Sequence, residues 1–186
     1  LRRDANPENV LGDLHRRTSL QSNFGAILLA LVNGQPQQLS LRKLLQTFLE
    51  YRELTVIRRT NHALAKTKTR LEVVEGLITA LNALQAVIAM IQEAADAAAA
   101  RARLMVQLDL NEKQADAVLA MPLRRLTSLE QSSLRQEAKE LEGKQEQLQF
   151  LLENRESMLE VLIQELRQLK KRFDNPRRTP LVEGGD

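Results

Sequence analysis

The chain is 186 residues long, with 27 Lys+Arg against 24 Asp+Glu, no cysteine, no tryptophan, one tyrosine and four phenylalanines. Leucine, alanine and glutamate together with the basic residues make up just over half of it, the composition of long helices or coiled coil. That balance excludes an ordinary all-β core, a disulfide framework, a thiolate nucleophile and a cysteine-ligated zinc site.

Taken in chain order, the first forty residues are mixed. Asn6-Pro7 marks a helix start, and Val10, Leu11, Leu14 and Leu20 fit one short helix over 8–20. Asn33-Gly34 separates two short extended candidates. Both central positions of a two-residue hairpin turn need φ > 0, so this pair predicts a β-hairpin, with Pro36 confining the second strand to an edge. A helix through Ile27 to Leu31 is the alternative reading.

From Leu41 the pattern becomes heptad, with Ser40 as its N-cap. Ile57, Leu64, Leu71 and Ile78 fall seven apart, Thr60, Thr67, Val74 and Leu81 follow each of them by three, and Ile88 continues the second row one heptad further. The spacing predicts a first stalk helix over 41–92, ~78 Å long at 1.5 Å per residue. A small tip over 93–127 follows. Within it, Asn111 with Gln114 three residues on predicts an N-cap and a short helix through Ala120, ended by Met121-Pro122.

A return helix over 128–174 is announced by Thr127 and Glu130 at capping-box spacing and stopped by Pro176. Its seam is Leu134, Ala138, Leu141, Gln145, Leu148, Leu152, Arg155, Leu159, Leu162, Leu166, Leu169 and Phe173. Two helices of nearly equal length fold most simply into a long antiparallel two-helix coiled coil with a small helical tip, and the fold class is mainly α. Residues 1–40 supply a short helix and hairpin, and 175–186 a basic, then flexible tail. Pairing the two stalk helices sets Gly76 opposite 138–143, where small residues predict close backbone approach.

Ala115, Val118, Leu119, Met121, Leu123 and Leu126 are more apolar than so small a tip would bury alone. An exposed apolar patch there predicts self-association. Charge gathers elsewhere: 42–75 holds eight Lys/Arg against four Glu, and 167–178 holds six against one Asp. A clustered positive end suggests a nearby polyanion such as DNA, a solvated basic face being the alternative. Without interleaved aromatics, base stacking is not expected.

Covalent chemistry has no candidate residues. No Gly-rich phosphate loop or nucleophile elbow occurs. His15 and His62 stand 47 residues apart without a metal-ligand pattern, and Tyr51 reads as a packing or surface residue. Catalytic, cofactor and metal sites are therefore all expected to be none. No apolar run approaches the ~20 residues that span a bilayer, so no membrane is expected as a partner. The start at Leu1, without a signal-peptide pattern, suggests a piece of a longer cytoplasmic protein.

Ser22-Asn23-Phe24-Gly25, Asn33-Gly34-Gln35-Pro36, Glu50-Tyr51-Arg52, Ile57-Arg58-Arg59-Thr60, Leu71 to Leu77 and Leu123 to Glu130 occur in one order with Arg177-Arg178-Thr179. Together they resemble the DNA gyrase A chain and, more broadly, the breakage-reunion chain of bacterial type IIA topoisomerases. The topoisomerase IV counterpart is a close competitor, with Phe24-Gly25 and Gly34-Gln35-Pro36 favouring gyrase. The resemblance maps to the end of the tower, the coiled-coil stalk and the exit gate, or C-gate.

It implies a non-catalytic module of a homodimer whose tips meet and part to release a transported DNA duplex. The gate interface would include Leu110, Ala115, Val118, Leu119, Met121, Leu123 and Leu126. The basic residues near DNA would be Arg58, Arg59, Lys171, Arg172, Arg177 and Arg178. The catalytic-tyrosine domain lies upstream in the family and Tyr51 does not match its motif. ATP and Mg2+ would enter the parent complex through its partner, the gyrase B subunit. A nucleoid-associated or organellar location is implied. Without the resemblance, a free-standing antiparallel coiled-coil adaptor or chaperone stays open.

Overall fold

The computed structural model describes residues 6–181, apart from the side chains of Leu123 and Arg124. The chain divides into two compact units, Leu1–Glu50 and Tyr51–Asp186.

In the first unit, α1 (Pro7–Arg17) begins where the Asn6 side chain accepts from the Glu8 N–H at 3.0 Å, with Pro7 at the helix start. Thr18 is already extended, so α1 stops short of the predicted Leu20. The hairpin forms as predicted: β1 (Leu29–Val32) pairs antiparallel with β2 (Gln35–Gln38). Asn33 and Gly34 close it at φ 53° and 79°, the left-handed values that a primed turn requires. Pro36 faces Leu31, one step from the turn, and Leu39 N–H donates to Leu28 O at 2.9 Å three steps further on. Alternation of bonded and non-bonded pairs then puts Pro36 where no ladder N–H is needed. No described residue of this unit is buried, and Phe24, Ile27, Leu29 and Leu31 lie open.

The long helix α2 (Leu41–Asn82) starts at Ser40, whose hydroxyl accepts from Lys43 N–H at 3.3 Å. It does not run on to Gln92. The chain turns 89° at Ala83 before α3 (Leu84–Gln92). Neither proline nor glycine makes this bend. Val87, rather than the predicted seam residue Ile88, enters the core, and Asn82 Oδ1 accepts from Arg135 on the return helix at 3.0 Å. Tertiary packing has overridden an uninterrupted helical sequence pattern.

Beyond the bend come α4 (Ala97–Leu108), capped by Asp96, and α5 (Glu112–Leu119), which has the predicted capping box of Asn111 and Gln114. A 3₁₀ turn (Leu123–Leu126) leads into α6 (Ser128–Glu153). The return helix is likewise two pieces. Asn154 is extended, and its side chain accepts from Glu156 and Ser157 N–H at 3.0 and 3.2 Å to cap α7 (Arg155–Phe173). The continuous reading over 128–174 is corrected here: an asparagine that can cap a new helix competes with the interior of the old one. Arg155, a polar misfit in the predicted seam, turns out to solvent and pairs with Glu53.

Antiparallel pairing of the stalk is fixed by cross-links that run in opposite sequence directions. Arg52 meets Glu165, Arg70 meets Glu137, and Asn82 meets Arg135. Along this seam Thr60, Thr67, Leu71, Val74 and Leu81 are buried as the heptads predict, and so are Leu134, Ala138 and Leu162.

Two apolar clusters result. The larger joins Leu71, Val74, Leu77, Ala80 and Leu81 of α2 to Val87, Leu104, Leu110, Ala115 and Val118 of the tip and Leu134 and Ala138 of α6. The smaller holds Val56, Met158 and Leu162. The expected close approach of Gly76 to 138–143 on the return helix is corrected here. Gly76 faces Gln114 of α5, and a Cβ built on Gly143 would meet nothing within 4 Å.

Candidate interaction surfaces of the tip and shaft

The seven predicted gate residues divide by burial. Leu110, Ala115 and Val118 are core residues, at 6%, 0% and 4% exposure. Their apolar surface is already used inside the chain, so they cannot present a patch to a partner. The expectation that the tip cannot bury these residues is corrected, because the tip does not pack alone. It shares one core with the upper part of α2, which supplies the missing apolar surface. Leu119, Met121 and Leu126 are half-buried at the edge of that core. The Leu123 side chain lies outside the described residues.

Outward-facing apolar side chains are ones that the sequence pattern passed over. Val106 on α4 and Leu129 at the start of α6 are both 81% exposed. Each had a legible signal in its helical phase. Leu129 falls outside the seam that Leu134 and Ala138 define, and Val106 lies off the face of the buried Leu104. A shallow hollow beside Leu129 is lined by Ile78, Ser132, Ser133, Arg135, Ala138 and Lys139 among others. Its small serines, and charges of both signs that include Glu130 and Glu142, suit contact with an identical surface related by a two-fold axis.

At the other end of the shaft, the structure gathers only part of the predicted basic set. The Glu165 carboxylate accepts from Arg52 at 2.9 Å and also from Arg59. Arg172 lines the same hollow of about 290 Å³ as Arg52 and Glu165. Glu165 thus pairs with two guanidinium groups while a third lines the same hollow, and these four side chains together are net positive. Arg52 was missed as a site residue, although it stands in the counted basic stretch. Arg172 also lies 5.2 Å over the ring of Phe173. Arg177 donates to the Thr179 carbonyl at 2.9 Å, and Arg58, Lys171 and Arg178 are exposed.

Two further ion pairs brace the shaft. Arg70 donates to both oxygens of Glu137 at 2.7 and 3.0 Å, a bidentate pair that raises the guanidinium's affinity for its proton. Arg155 donates to Glu53 at 2.8 and 3.2 Å, and this hydrogen bond holds the Glu53 carboxyl below the ordinary glutamate range. Among the described residues, no three His, Asp or Glu side chains are placed to hold a metal ion. Likewise no single helix is long and apolar enough to cross a membrane. Tyr51 is exposed on α2.

The sequence model of the DNA gyrase/topoisomerase IV A-subunit family matches residues 1–167. Similar proteins include the topoisomerase 4 A-subunit of Synechocystis sp., 46% identical over 99% of this chain and 20% of the relative. The DNA gyrase A-subunit of the same organism is 45% identical over 98% of the chain and 21% of the relative. The chloroplastic/mitochondrial DNA gyrase A-subunit of Nicotiana benthamiana is 39% identical over the whole chain and 20% of the relative. The chain spans about a fifth of the length of the curated relatives it matches. The two Synechocystis proteins match almost equally, so identity does not choose between gyrase and topoisomerase IV.

Proposed function

Because the chain belongs to the DNA gyrase/topoisomerase IV A-subunit family, we propose that it is the stalk and exit gate of such a protein, a non-catalytic dimerisation module. The single observation that carries this reading is the tip's construction. One core locks α3, α4 and α5 to the upper shaft, and Leu129 and Val106 stay outside it. A rigid end with exposed apolar side chains suits contact with a second copy, and modest apolar area suits a contact that must also open. The dimer face is centred on Leu129, with Met121 and Leu126 at its edge, in place of the buried Leu110, Ala115 and Val118.

In this reading a DNA duplex passes between two such stalks, and the site of Arg52, Arg59 and Arg172 contacts its phosphates through charge alone. The B-type partner supplies ATP and Mg2+ chemistry to the parent assembly, and the gyrase form is preferred on the Phe24-Gly25 and Gly34-Gln35-Pro36 motifs. The parent works where bacterial or organellar DNA lies.

Sedimentation velocity over nanomolar to high micromolar protein tests the proposal. A dimer at micromolar concentration is expected, weakened at least ~10-fold by Leu129→Asp, since the new carboxylate would be buried without a partner. A wild-type monomer at every concentration would favour the adaptor reading. An unchanged dimer in Leu129→Asp would place the contact elsewhere.

A further inference from the structure

The joint between tip and shaft has an unusual construction at Gly76. Side chains on a helix cover the turn N-terminal to their own Cα, so a glycine at position 76 leaves the backbone near residue 72 uncovered. Gln114 of α5 occupies that notch. A Cβ at position 76 would stand 2.7 Å from both Cβ and Cγ of Gln114, closer than two carbons can pack. From this seat the Gln114 Nε2 donates to the Glu72 carbonyl at 2.8 Å. In an α-helix that carbonyl already accepts from Gly76 N–H, so the tip attaches to the second lone pair of a shaft hydrogen bond.

Gln114 has no freedom left. Its Oε1 accepts from Asn111 N–H at 2.9 Å, and its own N–H donates to Asn111 Oδ1 at 3.0 Å. Asn111 in turn donates through Nδ2 to the Glu72 carboxylate at 2.6 Å. Two residues of the α5 capping box thus hold one residue of α2, by its backbone and by its side chain. Ala115 and Val118 beside them contribute burial, but apolar attraction has no direction of its own. Directional bonds supply what burial cannot, a fixed register.

We propose that Gln114, seated in the Gly76 notch, is the positioning residue that sets the angle at which the tip is held on the shaft. The device ties α5 to one turn of α2, and α5 leads through the 3₁₀ turn into the start of α6, where Leu129 stands. Its consequence for gating, presentation of the Leu129 face at one orientation, rests on the exit-gate reading. The joint itself does not.

The chain has no native cysteine, so nitroxide labels on Lys66→Cys and Gln107→Cys, both exposed, report the shaft-to-tip distance. Double electron–electron resonance would be recorded on labelled chain diluted with unlabelled chain, so that only distances within one molecule contribute. A single narrow distribution is expected for the parent and a broadened or displaced one for Gln114→Glu, which keeps the shape but loses the donor to Glu72. Gly76→Val should act alike by filling the notch, with circular dichroism showing intact helices in each. Distributions unchanged in both variants, even with lowered melting temperatures, would reduce Gln114 to a stabilising contact and overturn the proposal. The measurement does not depend on dimerisation. A chain that is monomeric throughout but broadens in Gln114→Glu would keep the joint and remove the gate.

Discussion

The upper and lower parts of the shaft are built from the same two kinds of helix and held in different ways. Between Leu71 and Leu81, α2 buries apolar side chains against three tip helices and α6. Around Val56 the same helix buries one, against Met158 and Leu162. There the partners are mostly charged: Arg52 and Arg59 on Glu165, and Glu53 with Arg155. Between the two, the buried seam residues of α2 are the threonines Thr60 and Thr67. A heptad pattern alone suggests a uniform rod. Stability instead concentrates where a third layer of helices covers the seam, and thins where two helices must bury each other unaided.

Leu104→Ala should break this contrast most severely. Leu104 is fully buried at the centre of the larger cluster, and its loss should cost about 2–5 kcal/mol. The checks are thermal melting and amide exchange, with protection falling across α2, α4 and α5 together. Met158→Ala, in a cluster of three that can collapse, should cost about 2 kcal/mol or less, with the loss of protection confined to α7 and the facing turn of α2. Equal and equally widespread effects from the two would mean that the shaft is uniform after all.

Glu165→Gln sharpens the electrostatic side of the comparison. It leaves Arg52 and Arg59 without their shared counter-charge, and the expected cost is about 1–2 kcal/mol. Salt should shrink the difference from the parent. The same change makes the site of Arg52, Arg59 and Arg172 more positive, so DNA should be retained to higher salt in an electrophoretic shift series.

The smallest expected effect is that of pH on Glu53. Its carboxyl is held below the usual glutamate value of 4.5 by the Arg155 hydrogen bond. A depressed pKa in the folded state contributes stability above the unfolded value, and that stability is lost as pH falls through the folded one. Acidification below about pH 4.5 should therefore loosen the Glu53–Arg155 contact, and Arg155→Gln should flatten that part of the stability profile. Because Arg155 is mostly exposed, a shift in melting temperature confined to the acid limb is the readout.

How much of this was legible from sequence depended on the range of the interaction involved. Asn33-Gly34, Ser40 and Asn111 were readable because a turn or a cap is decided by a few neighbouring residues. The two breaks in the long helices were not. At Ala83 nothing local forbids a helix, and the bend follows from where Val87 and Leu104 find a common core. At Asn154 the local signal existed, an asparagine with Glu156 behind it, but ten good seam positions concealed it. The exposure of the tip's apolar residues was misread for a similar reason. Counting apolar residues in 110–126 showed how many needed burial, but their phase relative to the upper shaft decided that Leu110, Ala115 and Val118 go inward and Leu129 outward. Arg59 and Arg172 are linked only through Glu165, which pairs with the first and lines a hollow with the second, and no one-dimensional count reveals that.

The right-angle turn at Ala83 matters when the molecule is considered as a mechanical part. A pull along α2 is borne by its own ladder of backbone hydrogen bonds as far as Asn82, and there the continuous strut ends. Past that corner the load cannot follow the main chain in a straight line. It must cross sideways into packed side chains and into the Gln114 seat. Close-packed interiors compress little and transmit strain, so the corner acts as a rigid elbow, turning axial tension in the shaft into shear across the tip.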